Sequence, residues 1–266
     1  MTPYVDIRGG GPDVVLLHGW ALHGGMWGSW IDGLAGHARL HVVDLPGHGR
    51  SAWPDGLHDL EGLARAVHPV VPRGAVLLGW SLGGMVALEI ARRHPDEVAA
   101  LVLVATTPKF VAAEGWGHGM RCEVLEEFAR GLADDLSRTV QRFLALQVRG
   151  DEHSQETLRL LRSHLASHGT PDPKALAAGL AILREADLRD ALPRIAQPAL
   201  VIAGEHDRLT PPAAGRALAG NLPVARLRLI ERSGHAPFLS HAPEVLGEVL
   251  AFLRIHAAAG RSPACA

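Results

Sequence analysis

Six short apolar runs, rich in Val, Leu and Ile and ending in glycine or polar turns, punctuate the chain at residues 14–18, 40–43, 75–79, 101–105, 199–204 and 226–230. They are too short for helices and read as buried strands. Between them, residues 27–35, 57–68, 83–94, 213–219 and 243–256 carry helical patterns. Parallel neighbours need a crossover, and a helix is the compact way to make one, so the alternation predicts an α/β chain with a mostly parallel sheet covered on both faces.

The rhythm breaks once, between residues 105 and 199. So long a connection rarely lacks secondary structure, and its charge pattern predicts amphipathic helices. Residues 1–106 and 190–256 are therefore expected to form one core, with 107–189 as an inserted helical cap. At 266 residues, 47% of them hydrophobic, the chain has the apolar surface for one large core. Residues 257–266 are small and polar and are expected to fray.

A net charge of −2 and a pI near 6.8 offer no basic footprint for nucleic acid. The two cysteines, Cys122 and Cys265, imply neither a disulfide framework nor a thiolate metal site, and suit a reducing compartment. The N-terminus lacks the pattern of a secretory signal, and no uncharged apolar run approaches spanning length. A cytoplasmic monomer without membrane attachment is expected.

Gly79-Trp80-Ser81-Leu82-Gly83-Gly84 follows one strand-like run and opens a helical one. It matches G-x-S-x-G in the strand–turn–helix setting where that pattern carries a nucleophile. Glycines two residues either side of the serine remove Cβ atoms that would collide with the adjoining strand and helix. The turn also sets the hydroxyl at a helix N-terminus, which favours developing negative charge. A chance glycine-rich turn is the plain alternative in a chain with 30 glycines.

His18-Gly19-Trp20 closes the first strongly apolar run, which points to the backbone N–H groups of Trp20 and Leu82 as an oxyanion hole. A histidine and glycine that merely close a strand are the alternative. The acid and base are expected in the order Ser, Asp or Glu, His, each after a later strand. Asp207 follows the run 199–204 and His235 follows 226–230. Glu205 competes with Asp207 for the acid role but lies nearer its strand end. In these roles Ser81 is the nucleophile, His235 the general base and Asp207 the group that orients the imidazole.

Other chemistries fit less well. H-E-x-x-H is absent, and His164 and His168 are the conspicuous i,i+4 histidine pair. Gly9-Gly10-Gly11 precedes its strand, where a dinucleotide fingerprint would follow one. No metal or organic cofactor is expected. A short-chain carboxylesterase of unrelated substrate and a non-catalytic ligand receptor on the same fold stay open as alternatives.

With these segments assembled, the chain resembles the BioH-type pimeloyl-[acyl-carrier protein] methyl ester carboxylesterases of biotin synthesis, within the α/β-hydrolase superfamily. The resemblance runs through 16–20, 43–51, 79–84, 142–147 and 235–238. It implies that Trp20, Leu82, Phe143, Leu144, Ala145, Leu146 and Gln147 border the substrate beside Ser81 and His235. It also implies that cap arginines dock an acyl-carrier protein, a pattern matched by Arg138, Arg142 and Arg159, with Arg162 as a shifted partner. Gln155 stands where the family pattern has arginine. Independently, at about 100° per residue, Arg138, Arg142 and Arg149 fall within about 40° of one another, opposite Leu136, Val140, Phe143 and Gln147. An ordinary amphipathic helix with solvated arginines has the same periodicity.

Overall fold

The computed structural model describes residues 2–54 and 56–257. Seven strands, β1 (Val5–Gly9), β2 (Asp13–Leu17), β3 (Arg39–Val43), β4 (Ala75–Trp80), β5 (Val98–Val104), β6 (Ala199–Gly204) and β7 (Ala225–Ile230), form one sheet ordered β1-β3-β2-β4-β5-β6-β7. Only β1 is antiparallel to its neighbour. The six apolar runs all fall on β2 to β7. Five of these strands, β2, β3, β4, β5 and β6, form the interior of the sheet and are almost wholly buried. β1 escapes an apolar-run reading because it is a half-solvated edge: Asp6 and Arg8 pair at 2.9 Å and Ile7 is 60% exposed.

Helices α1 (Trp30–Ala35) and α10 (Ala242–His256) cover one face, through Ile31, Leu34, Val245 and Val249. On the other face lie α2 (Leu60–Val67), α3 (Leu82–Arg93) and α8 (Pro212–Asn221), through Leu63, Val86 and Leu218. The short α9 (Pro237–Ser240) precedes α10. The stretch expected to be one helix over 27–35 is a 3-10 turn at Gly24–Trp27 followed by α1, because Gly28 at φ 54° breaks the helical path between them.

Between β5 and β6 stand α4 (Cys122–Asp134), α5 (Leu136–Gln147), α6 (Ser154–Leu165) and α7 (Pro173–Glu185). The helices expected across the whole inserted stretch begin only at Cys122; residues 107–121 are an arm held by the bridges Val111–Met120 and Ala113–Trp116. Asp135 caps α5 by accepting the Arg138 N–H at 2.9 Å. α5 ends at Gln147, so Arg149 does not extend the face of Arg138 and Arg142; Val148 leaves helical geometry and Gly150 at φ 90° turns the chain away.

Ala257, the first residue of the expected fraying tail, is buried at the end of α10 and donates its N–H to Leu253 O at 2.9 Å. Residues 258–266, with Cys265, lie outside the described residues. Among the described residues no helix is long and apolar enough to cross a membrane.

From β2 the chain moves outward to β3 and then returns across β2 to β4. The sheet reverses its winding there, and the carboxyl ends of β2 and β4 flank the crevice where such sheets bind ligands. Gly19 and Ser81 follow those two strand ends.

Candidate active site

Four described non-glycine residues have positive φ: Ala21, Ser81, Ala105 and Arg232. They follow β2, β4, β5 and β7, so backbone strain gathers at the carboxyl edge of the sheet, where function commonly collects it. Ser81, at φ 56° and ψ −119°, is the turn between β4 and α3. That turn tolerates no added Cβ: one at Gly79 would run into the Gly83 carbonyl, and one at Gly83 into the Leu17 carbonyl. Thr106 steadies the serine from β5's end, its hydroxyl donating to Ser81 O at 2.7 Å.

His235 Nε2 lies 2.9 Å from Ser81 Oγ, and His235 Nδ1 lies 2.7 Å from Asp207 Oδ2. A carboxylate accepts, so Nδ1 carries the proton and Nε2 is the lone pair facing the serine hydroxyl. The side chains of His235 and Asp207 are 1% and 0% exposed, which shields the relay from water. Asp207 Oδ1 accepts the Leu209 and Thr210 N–H groups at 2.8 and 3.0 Å, and Oδ2 accepts the Thr210 hydroxyl at 2.6 Å. Glu205 points away: it is exposed, and its Oε2 accepts the Arg232 N–H at 2.9 Å. Of the two carboxylates, Asp207 is the one in hydrogen-bond contact with the imidazole.

Leu82 opens α3, so its N–H has no carbonyl within the helix to bond. Among the described residues, no backbone carbonyl accepts the Trp20 N–H. The loop bearing Trp20 is fixed by His18, fully buried, whose Nε2 accepts the Leu45 N–H at 2.9 Å while Nδ1 bonds Gly19 O at 2.8 Å. Burial first, and then the neighbouring His48, hold the His18 imidazole down to about 3, so it stays neutral and keeps this pair of bonds. His18 is therefore more than a strand terminator.

The cap closes over this floor. Trp20 packs edge-on to Phe143 with centroids 4.6 Å apart and donates its indole N–H to Leu176 O of α7 at 2.9 Å. Phe143, Leu144 and Gln147 are buried, Leu146 is half-buried, and Ala145 faces solvent on the outer side of α5, away from the floor. Both side-chain amide atoms of Gln147 are buried without a hydrogen-bond partner. Ser81 itself is buried beneath this region, only 3% exposed.

Arg138, Arg142, Arg159 and Arg162 are all exposed on the cap, apart from the triad. Arg142 lies 3.7 Å from Glu127, and Arg162 donates to Gln141 Oε1 at 2.9 Å. His168 lies beside His23, ring centroids 4.5 Å apart and tilted by 57°, while the His164 carbonyl bonds the His23 ring; among the described residues neither His164 nor His168 belongs to a cluster of three or more metal-ligating groups. Thr106, Thr210 and the cap residue Asp151, which accepts the Gly234 N–H at 2.8 Å, are site residues that sequence reasoning missed. For Thr210, the spacing of a threonine three residues beyond the acid was the available signal.

Residues 12–242 match the alpha/beta hydrolase fold family. The chain is 45% identical to the pimeloyl-[acyl-carrier protein] methyl ester esterase of Stenotrophomonas maltophilia, over 94% of this chain and 96% of that protein. It is 42% identical to the protein of the same name from Nitrosospira multiformis, over 94% and 98%. Among solved structures, an esterase from Exiguobacterium antarcticum superimposes with a TM-score of 0.88 at 25% identity, covering 95% of each chain. Sheet order, strand-end geometry and sequence thus agree that this chain belongs to the alpha/beta hydrolase fold family.

Proposed function

We propose that this protein is a serine carboxylesterase that hydrolyses the methyl ester of pimeloyl-[acyl-carrier protein], releasing methanol, in biotin synthesis. The observation that carries the reading is the buried Ser81–His235–Asp207 relay, in a chain 45% identical over nearly its whole length to an esterase of that name.

Ser81 Oγ bonds to the ester carbonyl carbon as its proton passes to His235 Nε2. The oxyanion accepts the N–H groups of Trp20 and Leu82, each such donor being worth about 3 kcal/mol in the transition state. The C–O bond to methoxide breaks, His235 returns the proton, and methanol leaves. Water then attacks the acyl-enzyme carbonyl, gives its proton to His235, and the carboxylic acid departs as Ser81 is restored. Asp207 keeps the imidazole in the tautomer this sequence needs and stabilises the imidazolium.

Residues 107–189 act as the cap, with Phe143, Leu144, Leu146 and Gln147 along the acyl chain. The unpartnered Gln147 amide is available to a polar group of the substrate. Arg138, Arg142, Arg159 and Arg162 meet the acidic carrier. The protein works as a cytoplasmic monomer, which size-exclusion chromatography and cell fractionation test. The decisive assay compares carrier-bound methyl pimeloyl ester with free methyl pimelate. A strong preference for the carrier-bound ester, and rescue of a biotin-requiring strain lacking this esterase, are expected. Equal rates and failed rescue despite good expression would make it an esterase of another substrate.

A further inference from the structure

The loops that bring the base and the acid to Ser81 are both fastened to one short turn of the cap, between α5 and α6. Gln147 O accepts the His235 N–H at 2.8 Å, and Glu152 donates its N–H to Arg232 O at 3.0 Å. Asp151 Oδ2 accepts the Gly234 N–H at 2.8 Å, and Gly150 O lies 2.7 Å from His206 Nδ1 in the Asp207 loop. Asp151 itself is held firmly. It is 5% exposed, its Oδ1 accepts the His153 N–H at 2.7 Å, and its own N–H donates to Val148 O at 3.1 Å.

His235 is thereby gripped at both ends of its backbone. The cap takes its N–H, and the core takes its carbonyl through Trp80 Nε1 at 2.7 Å. Packing leaves no slack, since a Cβ on Gly234 would stand 2.7 Å from Gln147 O and 3.3 Å from Asp151 Cβ. A buried carboxylate that accepts a backbone N–H makes one of the stronger hydrogen bonds available to a protein. The imidazole it steadies must meet Ser81 and Asp207 together, and a displacement of about 1 Å in such a constellation costs about a hundredfold in rate.

We infer that Asp151 is a positioning residue for His235, and that the 147–152 turn is a clasp joining the pocket-lining helix α5 to the general base. The clasp holds this end of the cap on the core. It rests on the reading of His235 as the general base.

Native-state hydrogen exchange on the wild-type protein tests the clasp without any substitution. The Gly234 and His235 amides are expected to exchange as slowly as those of β4; exchange at the rate of exposed loops would overturn the inference. Asp151→Ala is expected to lower kcat on p-nitrophenyl butyrate by about 10- to 100-fold with KM within about threefold. Asp151→Asn, which keeps an acceptor oxygen for Gly234, is expected to recover most of the loss. Gly234→Ala disturbs the same contact from the other side, so the double variant should be little worse than the more impaired single one. Losses that multiply, or wild-type kcat in Asp151→Ala, would sink the clasp. Inactive Ser81→Ala and His235→Ala beside a fully active Asp151→Ala would remove the clasp alone; active Ser81→Ala or His235→Ala would remove the reading beneath it.

Discussion

On the floor of the site, a methyl group added at Gly83 would collide with the Leu17 backbone, whereas in the arm leading to the cap one added at Gly117 would meet nothing within 4 Å. The contrast extends to side chains. Ser81, His235 and Asp207 are tied to one another and to the surrounding backbone by hydrogen bonds of 2.6 to 3.0 Å, while Arg138 and Arg142 stand in solvent on a helix whose opposite face is buried. Floor residues are dictated by backbone sterics and by the reaction. The cap arginines face solvent, and many side chains are compatible with a solvated helix face. Under the proposed function, chemistry and substrate choice are therefore written under different tolerances in the two regions.

Removing the nucleophile tests the floor most severely. Ser81→Ala is expected to lower kcat by about 10⁴- to 10⁶-fold while leaving the melting temperature nearly unchanged. Steady-state kinetics beside calorimetry check this, and substantial residual turnover would move the chemistry elsewhere.

The paired glycines sharpen the comparison. Gly83→Ala sets a methyl group against backbone that cannot swing aside and should cost about 3 kcal/mol. Gly117→Ala should stay within about 0.5 kcal/mol of wild type. Denaturant titration of the two variants reads the difference, and similar values would mean that the floor is no tighter than the arm.

Acid should loosen the floor as well. Burial holds His18 down to about 3 and His48 down to about 4 from an ordinary value of 6.5, so an unfolded chain binds protons that the folded one refuses. Their contribution is complete above pH 6.5 and is lost as pH falls from there towards 3 to 4. A melting temperature that declines over that window, less steeply in His48→Gln, is the expected result.

The smallest effect belongs to the cap. Replacing Arg138 and Arg142 together by alanine is expected to raise KM for the carrier-bound ester by about 5- to 10-fold and leave p-nitrophenyl butyrate unaffected, since each exposed charge is worth up to about 1 kcal/mol. Equal effects on both substrates would assign these arginines to the fold.

The same contrast explains what could be read in advance. Strand interiors such as 75–79 and the turn at Ser81 are legible because continuous burial and close backbone approach leave few residue choices. β1 is not, because the charged Asp6 and Arg8 interrupt its apolar residues and its pairing is set by distant β3. Asp151 is not, because its partner Gly234 lies 83 residues away and only the folded chain makes them neighbours. Resemblance marked the 143–147 stretch as substrate-lining as a block, but a helix turns its residues through every direction, and Ala145 emerges on the solvent side.

The left-handed turns at Ala21, Ser81, Ala105 and Arg232 carry a consequence for portability. Each costs about 1–3 kcal/mol and persists only where surrounding packing overrides the local preference. A short peptide bearing Gly-Trp-Ser-Leu-Gly would relax to an ordinary bend and lose its aim. The reactive geometry is consequently a property of the assembled sheet, and grafting the motif onto another scaffold would require reproducing the neighbouring strand ends along with it.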